Sequence, residues 1–263
     1  MTNQSRIMDP AVIRQAANEP LVAVDVGLLA YLDAWQWQKD LVARRHAGEI
    51  GDTILLLEHP PVYTLGKRTD RANLLWNEDQ RRAHGIDLVE VDRGGDVTYH
   101  GPGQLVGYPI IKLASMRAVV PYVRTLEAVL IEALATLGIA AQRSDGYTGV
   151  WVGDAKIAAI GVRVASGGIT SHGFALNVHP NLADFAGIIP CGIADRDVCS
   201  VASLGVAATM YDLRAAITNA LGTVLDVPIR CQSVDDLPGY PHTGLPLASS
   251  ARHDEPMLAT DQR

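Results

Sequence analysis

Two side chains stand where the sequence could support covalent chemistry. Cys191 lies between Pro190 and Gly192, a constrained setting that presents a thiol on a turn. A free thiol has a pKa of about 8.5 and becomes a good nucleophile only when a cation or helix end lowers it. Lys156 begins the apolar run Ile157–Val164 and could direct a cation along a sheet. A small buried cysteine and a solvated strand-end lysine are the structural alternatives.

A glycine-rich segment is the second candidate for chemistry. Arg93–Gln104 has four glycines among twelve residues, and they surround the β-branched and aromatic run Val97-Thr98-Tyr99. Glycine is required where φ is positive or where another group comes close to the backbone. Arg93 offers a fixed cation, and His100 a group that titrates near neutrality. We expect a strand end, a tight loop that closes over a ligand and a second strand, with a purely structural loop as the alternative.

Three familiar sites do not fit the spacing. Cys191 and Cys199 are eight residues apart, and His172 and His179 are seven, unlike the close ligand pairs of structural zinc. Pro61 stands where an ATP phosphate loop would need its first glycine. The glycine spacing of the Arg93–Gln104 segment does not fit the dinucleotide fingerprint. We therefore expect neither a metal nor a cofactor.

Length and composition predict a globular protein. The 263 residues allow one large domain or two small ones, and 48% hydrophobic with 19% charged residues suits a substantial core. A net charge of −7 argues against a general nucleic-acid binder. Three cysteines fit a reducing compartment better than a disulfide framework. The N-terminus lacks the apolar core of a signal peptide, and no run is long enough to span a membrane. We expect a soluble, cytoplasmic protein.

Hydrophobic periodicity predicts alternating strands and helices. The first helix, 28–47, should bury Leu28, Leu32, Trp35 and Val42. Predicted strands cover 21–26, 53–57, 88–92, 105–111 and 199–204, with a meander over 149–178; two further helices cover 121–137 and 209–221. We expect an N-terminal arm (1–20), a catalytic domain (21–235) and a disordered tail (236–263) that is rich in proline.

Five motifs, in order, resemble those of the lipoyl(octanoyl) transferases, also called octanoyltransferases or lipoate-protein ligase B. The resemblance covers roughly residues 21–225, and the second motif is the most specific. The motifs are Glu58–Gly66, Arg93–Gln104 with Tyr108 after it, Lys156–Gly161, Ser171–Asn177 and Ile189–Gly192.

The resemblance implies the α/β fold shared by biotin and lipoate protein ligases, a mixed β-sheet flanked by helices. It implies transfer of an octanoyl group from octanoyl-acyl carrier protein to a lysine of a lipoyl domain. The acceptors would be the lipoyl domains of 2-oxoacid dehydrogenase complexes and the glycine cleavage H protein. Neither nucleic acid nor a membrane would take part.

The resemblance also assigns roles to residues. Cys191 would hold the acyl group as a thioester, and Lys156 would form a dyad with it. His100 would orient the substrate or the loop. The substrate site would be lined by Arg93, Gly94, Gly95, Asp96, Val97, Thr98, Tyr99, His100, Ala159, Ile160, Gly161, Gly173, Phe174 and Ala175.

Three other functions stay open at this point. An ATP-dependent lipoate ligase has the same fold, a catalytically dead acyl-binding protein would retain the cavity, and a thioesterase would use water as the acceptor. Because acyl carrier proteins are acidic, a local basic face is expected on this acidic chain. Its candidate members are Lys39, Arg44, Arg45, Lys67, Arg68 and Arg71.

Overall fold

The computed structural model describes residues 13–16, 19–165, 167–190 and 196–241. Cys191, the predicted nucleophile, lies outside the described residues, as do most of the predicted N-terminal arm and tail. The helices within these ranges are α1 (Tyr31–Ala47), α2 (Glu78–Ala83), α3 (Val119–Ala135) and α4 (Met210–Leu225). The strands are β1 (Leu21–Leu28), β2 (Thr53–Glu58), β3 (Val62–Leu65), β4 (Asp87–Glu90), β5 (Thr98–His100), β6 (Gln104–Ile110), β7 (Gln142–Ser144), β8 (Tyr147–Val152), β9 (Ala155–Val164), β10 (Thr170–Asn177) and β11 (Ile229–Gln232).

The strands form two sheets. The large sheet has the order β11-β1-β2-β6-β10-β9-β8-β7, and the small sheet has the order β4-β3-β5. In the large sheet β1 pairs in parallel with β2 and β11, whereas the pairs from β2 to β7 are antiparallel. The predicted mixed sheet and the meander from β8 to β10 are therefore confirmed.

Strand alternation divides the core of the large sheet into two layers. In β2, Ile54 and Leu56 pack with the residues of α3 and α4, whereas Leu55 and Leu57 pack with α1 on the other face. The continuous apolar run of β2 is thus buried on both faces, as fits a central strand. Aromatic and aliphatic side chains of the small sheet form a separate cluster around Tyr63 and Tyr99.

Two predicted elements are wrong in detail. Helix α1 begins at Tyr31 because Leu28 is the last residue of β1, so the buried stripe shifts to Ala34, Trp37 and Leu41. Leu32, predicted to be buried, is 58% exposed. Residues 199–204 do not form a strand, since Ser200 and Ser203 hydrogen-bond to each other's backbone and turn the chain into a 3-10 helix.

The predicted boundaries at both ends leave out residues that pack on the fold. Ile13 and Arg14 are buried, and Arg14 pairs with the buried Asp52 at 2.8 Å. At the other end, Leu237 is buried, and the indole N–H of Trp37 donates to the Pro238 carbonyl at 3.0 Å. Single anchoring contacts of this kind leave no periodic pattern, which explains why composition placed these residues in the arm and the tail.

Among the described residues, no helix meets the length and hydropathy that a membrane span requires.

Candidate functional site

The predicted glycine loop covers an open edge of the large sheet. Strand β8 pairs with β9 only as far as Ala158, and beyond that point the Gly94 N–H donates to the Val162 carbonyl at 2.9 Å. A Cβ added to Gly161 would lie 3.0 Å from the Gly94 carbonyl oxygen, and one on Gly66 would lie 2.4 Å from that of Gly95. The glycines therefore permit close backbone approach, as the sequence predicted.

Arg93 holds this loop against the small sheet. Its Nη2 donates to the Thr64 carbonyl at 2.6 Å and to the Thr64 hydroxyl at 2.9 Å, while its Nη1 donates to the Gly94 carbonyl at 3.1 Å. The residue is buried, so a fixed positive charge borders the interior beneath the loop.

A cleft lies between the glycine loop, α1 and the middle of the large sheet. We call it the main cavity. Most of the predicted substrate-binding residues line it. They are Arg93, Gly94, Gly95, Asp96, Thr98, His100, Ala159, Ile160, Gly161, Gly173, Phe174 and Ala175.

Val97 and Tyr99 are the exceptions among the predicted lining residues. Both are buried in the small-sheet cluster, and the Tyr99 hydroxyl donates to Asp184 at 2.8 Å. Alternation along the strand explains the split, since Thr98 and His100 face the cavity while their neighbours face the other way. Their contribution is to hold the strand that presents the loop.

Lys156 is buried, not a solvated strand end. It is 5% exposed, and its Nζ lies over the Trp151 ring, 4.8 Å from the centroid. Its backbone accepts from the Cys199 N–H at 3.0 Å and donates to the Asp197 carbonyl at 2.9 Å. The chain that returns after residues 191–195 is therefore tied to β9 at Lys156.

A second, smaller cavity contains Lys156. Pro190, the residue before Cys191, also lines it. Its wall shares Thr98, Ala159 and Ala175 with the main cavity, so the two spaces adjoin. We call this smaller space the lysine cavity.

A hydrogen-bonded chain of side chains fixes the protonation of His100. The Gln104 amide nitrogen donates to Asn177 at 2.9 Å, so its oxygen accepts from His100 Nδ1 at 2.7 Å. The Asn177 amide in turn donates to the Cys199 carbonyl at 2.9 Å. Burial holds the pKa of His100 well below its ordinary value, with His59 and Arg93 adding to the effect. His100 is thus neutral, with its proton on Nδ1, an arrangement assigned from the network.

The remaining cysteines within the described residues are Cys199 and Cys231. Cys199 is buried, and burial raises the pKa of its thiol to about 11. A protonated, buried thiol is a poor nucleophile at neutral pH. Cys231 is exposed on β11, the strand at the far edge of the sheet.

Sequence reasoning did not assign three aromatic residues that line the main cavity: Tyr31, Tyr108 and His172. Tyr108 and His172 fall in or beside the quoted motifs and could have been found there. Tyr31 begins α1 and carries no such pattern. The Tyr108 hydroxyl donates to His59 Nε2 at 2.7 Å, and His59 Nδ1 donates to the Leu29 carbonyl at 2.7 Å. Burial lowers the pKa of His59 to about 4.

An open groove leads to Lys156 from the surface. Its walls include the exposed Arg68, the loop residues Gly94–Asp96, and Gly146 with the first two residues of β8. Lys156 and Gly161 also line it. We call it the entry groove. Within the part of the chain that the structure describes, no cluster of three or more His, Cys, Asp or Glu residues could hold a metal ion.

Solved structures show where this architecture occurs. A bi-partite lipoate protein ligase from Thermoplasma acidophilum superposes with a TM-score of 0.66 at 16% identity, covering 82% of this chain and 87% of that one. A lipoate-protein ligase A bound with ATP gives 0.65 at 16% identity, covering 82% and 89%. At such identities the likeness establishes the fold alone.

Sequence comparison establishes the family. Residues 30–222 match the family described as the lipoyl protein ligase A/B catalytic domain. The octanoyltransferase of Rubrobacter xylanophilus is 52% identical over 188 residues, which are 70% of this chain and 85% of that protein. That of Chloroflexus aurantiacus is 46% identical over 213 residues, 80% and 96% of the two chains. That of Mycobacterium leprae is 50% identical over 217 residues, 78% and 88%. The chain therefore belongs to the lipoyl protein ligase A/B catalytic-domain family, and within it to the octanoyltransferases.

Proposed function

We propose that this acyltransferase carries the octanoyl group of protein lipoylation as a thioester on Cys191, with Lys156 as the acid–base partner. The observation that supports the pair is the lysine cavity, which contains buried Lys156 together with Pro190, the neighbour of Cys191 in the chain. Cys199, whose backbone binds that of Lys156, is argued against by its raised pKa.

The proposed first half-reaction exchanges one thioester for another. The Lys156 amine accepts the Cys191 proton, and the thiolate attacks the carbonyl carbon of the donor thioester. The bond from that carbon to the donor sulfur then breaks, and the departing thiolate takes the proton from Lys156. Exchange of like bonds is nearly isoenergetic, so this step requires no ATP.

The second half-reaction forms the amide. The acceptor lysine, as a neutral amine, attacks the carbonyl carbon of the Cys191 thioester and loses a proton to Lys156. The carbon–sulfur bond breaks, and the Cys191 thiolate recovers that proton. We assign His100 to orienting the substrate, because its neutral ring is fixed by Gln104 beside Thr98 on the cavity wall.

We further propose that the donor is an octanoyl-acyl carrier protein and the acceptor a lipoyl domain, with the entry groove admitting each in turn. Arg68 borders this groove and is exposed, so it is placed to meet an anionic donor. Apolar walls rich in Ala and Gly leave room for an acyl chain, which gains about 0.8 kcal/mol per buried methylene. A cytoplasmic location stays a prediction from the sequence.

A transfer assay tests the proposal. Wild type, Cys191→Ser and Cys199→Ser are incubated with octanoyl-acyl carrier protein and unmodified lipoyl domain, without ATP, and both octanoylated domain and free octanoate are measured. We expect amide product from wild type and Cys199→Ser and none above background from Cys191→Ser. Product only when ATP is added would favour a ligase, and free octanoate as the main product would favour a thioesterase.

A further inference from the structure

The two cavities together form a slot along the sheet. Each of three neighbouring strands contributes one lining residue to the lysine cavity and another to the main cavity. The pairs of lining residues are Lys156 and Gly161 on β9, Asn177 and His172 on β10, and Gln104 and Tyr108 on β6. At about 3.3 Å per residue, the step from Lys156 to Gly161 spans roughly 16 Å. Under the proposed octanoyl transfer, an acyl chain held near Lys156 would extend toward His172 and Tyr108.

His172 has an unusual backbone conformation at the far end of this slot. Its φ of +56° lies in the left-handed region, where a non-glycine residue is uncommon. Regular alternation would place its side chain on the same face as Phe174, which packs with α3 and α4. Instead its ring lies near Tyr108 and Trp35 on the α1 face, at centroid distances of 6.3 Å. The conformation therefore directs the imidazole toward the main cavity.

Hydrogen bonds to neighbouring groups fix both the backbone and the imidazole ring of His172. The His172 backbone N–H donates to the Gln38 side chain at 2.7 Å, and its Nε2 donates to Asp92 at 2.8 Å. Asp92 also binds Arg163 at 3.1 Å and the Trp35 indole at 3.3 Å. Backbone strain maintained by surrounding contacts concentrates at functional sites.

The other imidazole nitrogen is a buried acceptor. Nε2 carries the ring proton and donates a hydrogen bond to Asp92, so Nδ1 of the neutral ring is unprotonated. His172 is 1% exposed, and its Nδ1 has no hydrogen-bond partner among the described residues. Burial lowers the pKa of His172 to about 4, so the ring is neutral at physiological pH. His172 therefore borders the main cavity as a neutral, buried ring.

We propose that His172, together with the rings of Tyr31 and Tyr108, ends the acyl slot and sets the preference for an eight-carbon chain. Each added methylene would otherwise strengthen binding about fourfold, so a slot without an end would favour longer chains. A longer chain here meets the three rings, and these packed side chains would have to move to admit it, which is unfavourable. His172 is thus a specificity-determining residue remote from the reacting atoms.

The test compares chain lengths. The kcat/KM values for octanoyl- and decanoyl-acyl carrier protein are measured for wild type, His172→Asn, Tyr31→Leu and the control Leu32→Ala. Asparagine tolerates the left-handed conformation but removes most of the ring. Tyr31→Leu removes a second aromatic ring from the proposed end of the slot. Leu32 is 58% exposed on the same helix and serves as the control. We expect the octanoyl-to-decanoyl ratio to fall at least tenfold in both cavity variants and to stay at the wild-type value in Leu32→Ala.

The outcomes separate this inference from the proposed function. If wild type does not transfer the octanoyl group, the proposed function is wrong. If wild type prefers octanoyl to decanoyl and the folded cavity variants retain the same octanoyl-to-decanoyl ratio, the inference is wrong, even if the variants react more slowly with both substrates. If near-UV circular dichroism shows that His172→Asn does not fold, Tyr31→Leu decides alone.

Discussion

Lys156 and Pro190 line the same small cavity, although they come from a central strand and a distant loop. Asp197 and Cys199 both bind the Lys156 backbone, so the chain that follows residues 191–195 is held to β9.

Replacement of Lys156 by methionine tests the acid–base role. Methionine retains an unbranched side chain of similar length and removes the amine, so kcat/KM for transfer should fall by about 10²–10⁴. Lys39→Met is the matched control, because Lys39 also lies over a tryptophan ring, Trp35, but is exposed. Equal activity of the two variants would remove Lys156 from the mechanism.

Cys199 should be unreactive in the native protein. With its pKa raised to about 11, only about one thousandth of the thiol is ionised at pH 8. Iodoacetamide at pH 8 should therefore label exposed Cys231 well before Cys199, as peptide mass spectrometry would resolve. Fast labelling of Cys199 in the native protein would show that its thiol is reactive, and Cys199 would again be a candidate nucleophile.

Charge reversal should distinguish two candidate docking arginines. Arg68→Glu alters the entry groove, so we expect a KM for the carrier substrate raised about tenfold at low salt, with a smaller effect at high salt. Arg44 pairs with Glu49 at 3.0 Å in the last turn of α1, where it complements the helix dipole. Arg44→Glu should leave KM near the wild-type value, and the reverse ranking would place the docking surface elsewhere.

Buried neutral histidines should make stability depend on pH. His59 and His172 have folded-state pKa values of about 4, below the unfolded value of about 6.5. Below pH 6.5 these histidines bind protons in the unfolded chain but not in the folded chain. Their contribution to the free energy of unfolding is therefore fully present above pH 6.5 and is lost as the pH falls toward 4. Each residue contributes up to about 3 kcal/mol to this loss.

The same pH dependence can be assigned by substitution. In His59→Gln the fall of Tm between pH 6.5 and 4 should become smaller, although the variant is less stable at neutral pH because hydrogen bonds to Leu29 and Tyr108 are altered. Exposed His46→Gln serves as the control and should retain the wild-type slope. An unchanged slope in His59→Gln would mean that His59 is not buried in its neutral form.

The glycine loop should be sensitive at Gly66. A Cβ there would lie 2.4 Å from the Gly95 carbonyl oxygen, so Gly66→Ala must displace the loop that covers the main cavity. We expect at least a tenfold loss of kcat/KM, with a lower Tm. Gly51→Ala meets nothing within 4 Å and should match wild type in both measurements. A fully active Gly66→Ala would show that loop position does not matter for transfer.

The sequence predicted the architecture well where local patterns carry it. The strand predicted over 53–57 and the helix predicted over 209–221 are confirmed as β2 and α4. The predicted burial of Leu32 is wrong because the end of β1 shifts the helix by a few residues. Anchors such as Trp37 to Pro238 join distant parts of the chain and leave no local pattern.

The cavity wall was predictable in part. Motif residues from three separate segments do meet at the main cavity, and alternation accounts for the exclusion of Val97 and Tyr99. Tyr31 could not be found, since a tyrosine at a helix start has many structural uses. The left-handed conformation of His172 depends on tertiary contacts to Gln38 and Asp92, which no local pattern encodes.

The central claim is the Cys191 thioester, and intact-protein mass spectrometry tests it most directly. Wild type and Cys191→Ser are incubated briefly with octanoyl-acyl carrier protein, without ATP and without acceptor. Wild type should gain the mass of one octanoyl group, labile to hydroxylamine and lost on addition of lipoyl domain. Wild type that makes product while never gaining that mass, or a hydroxylamine-labile adduct that persists on Cys191→Ser, would contradict the account.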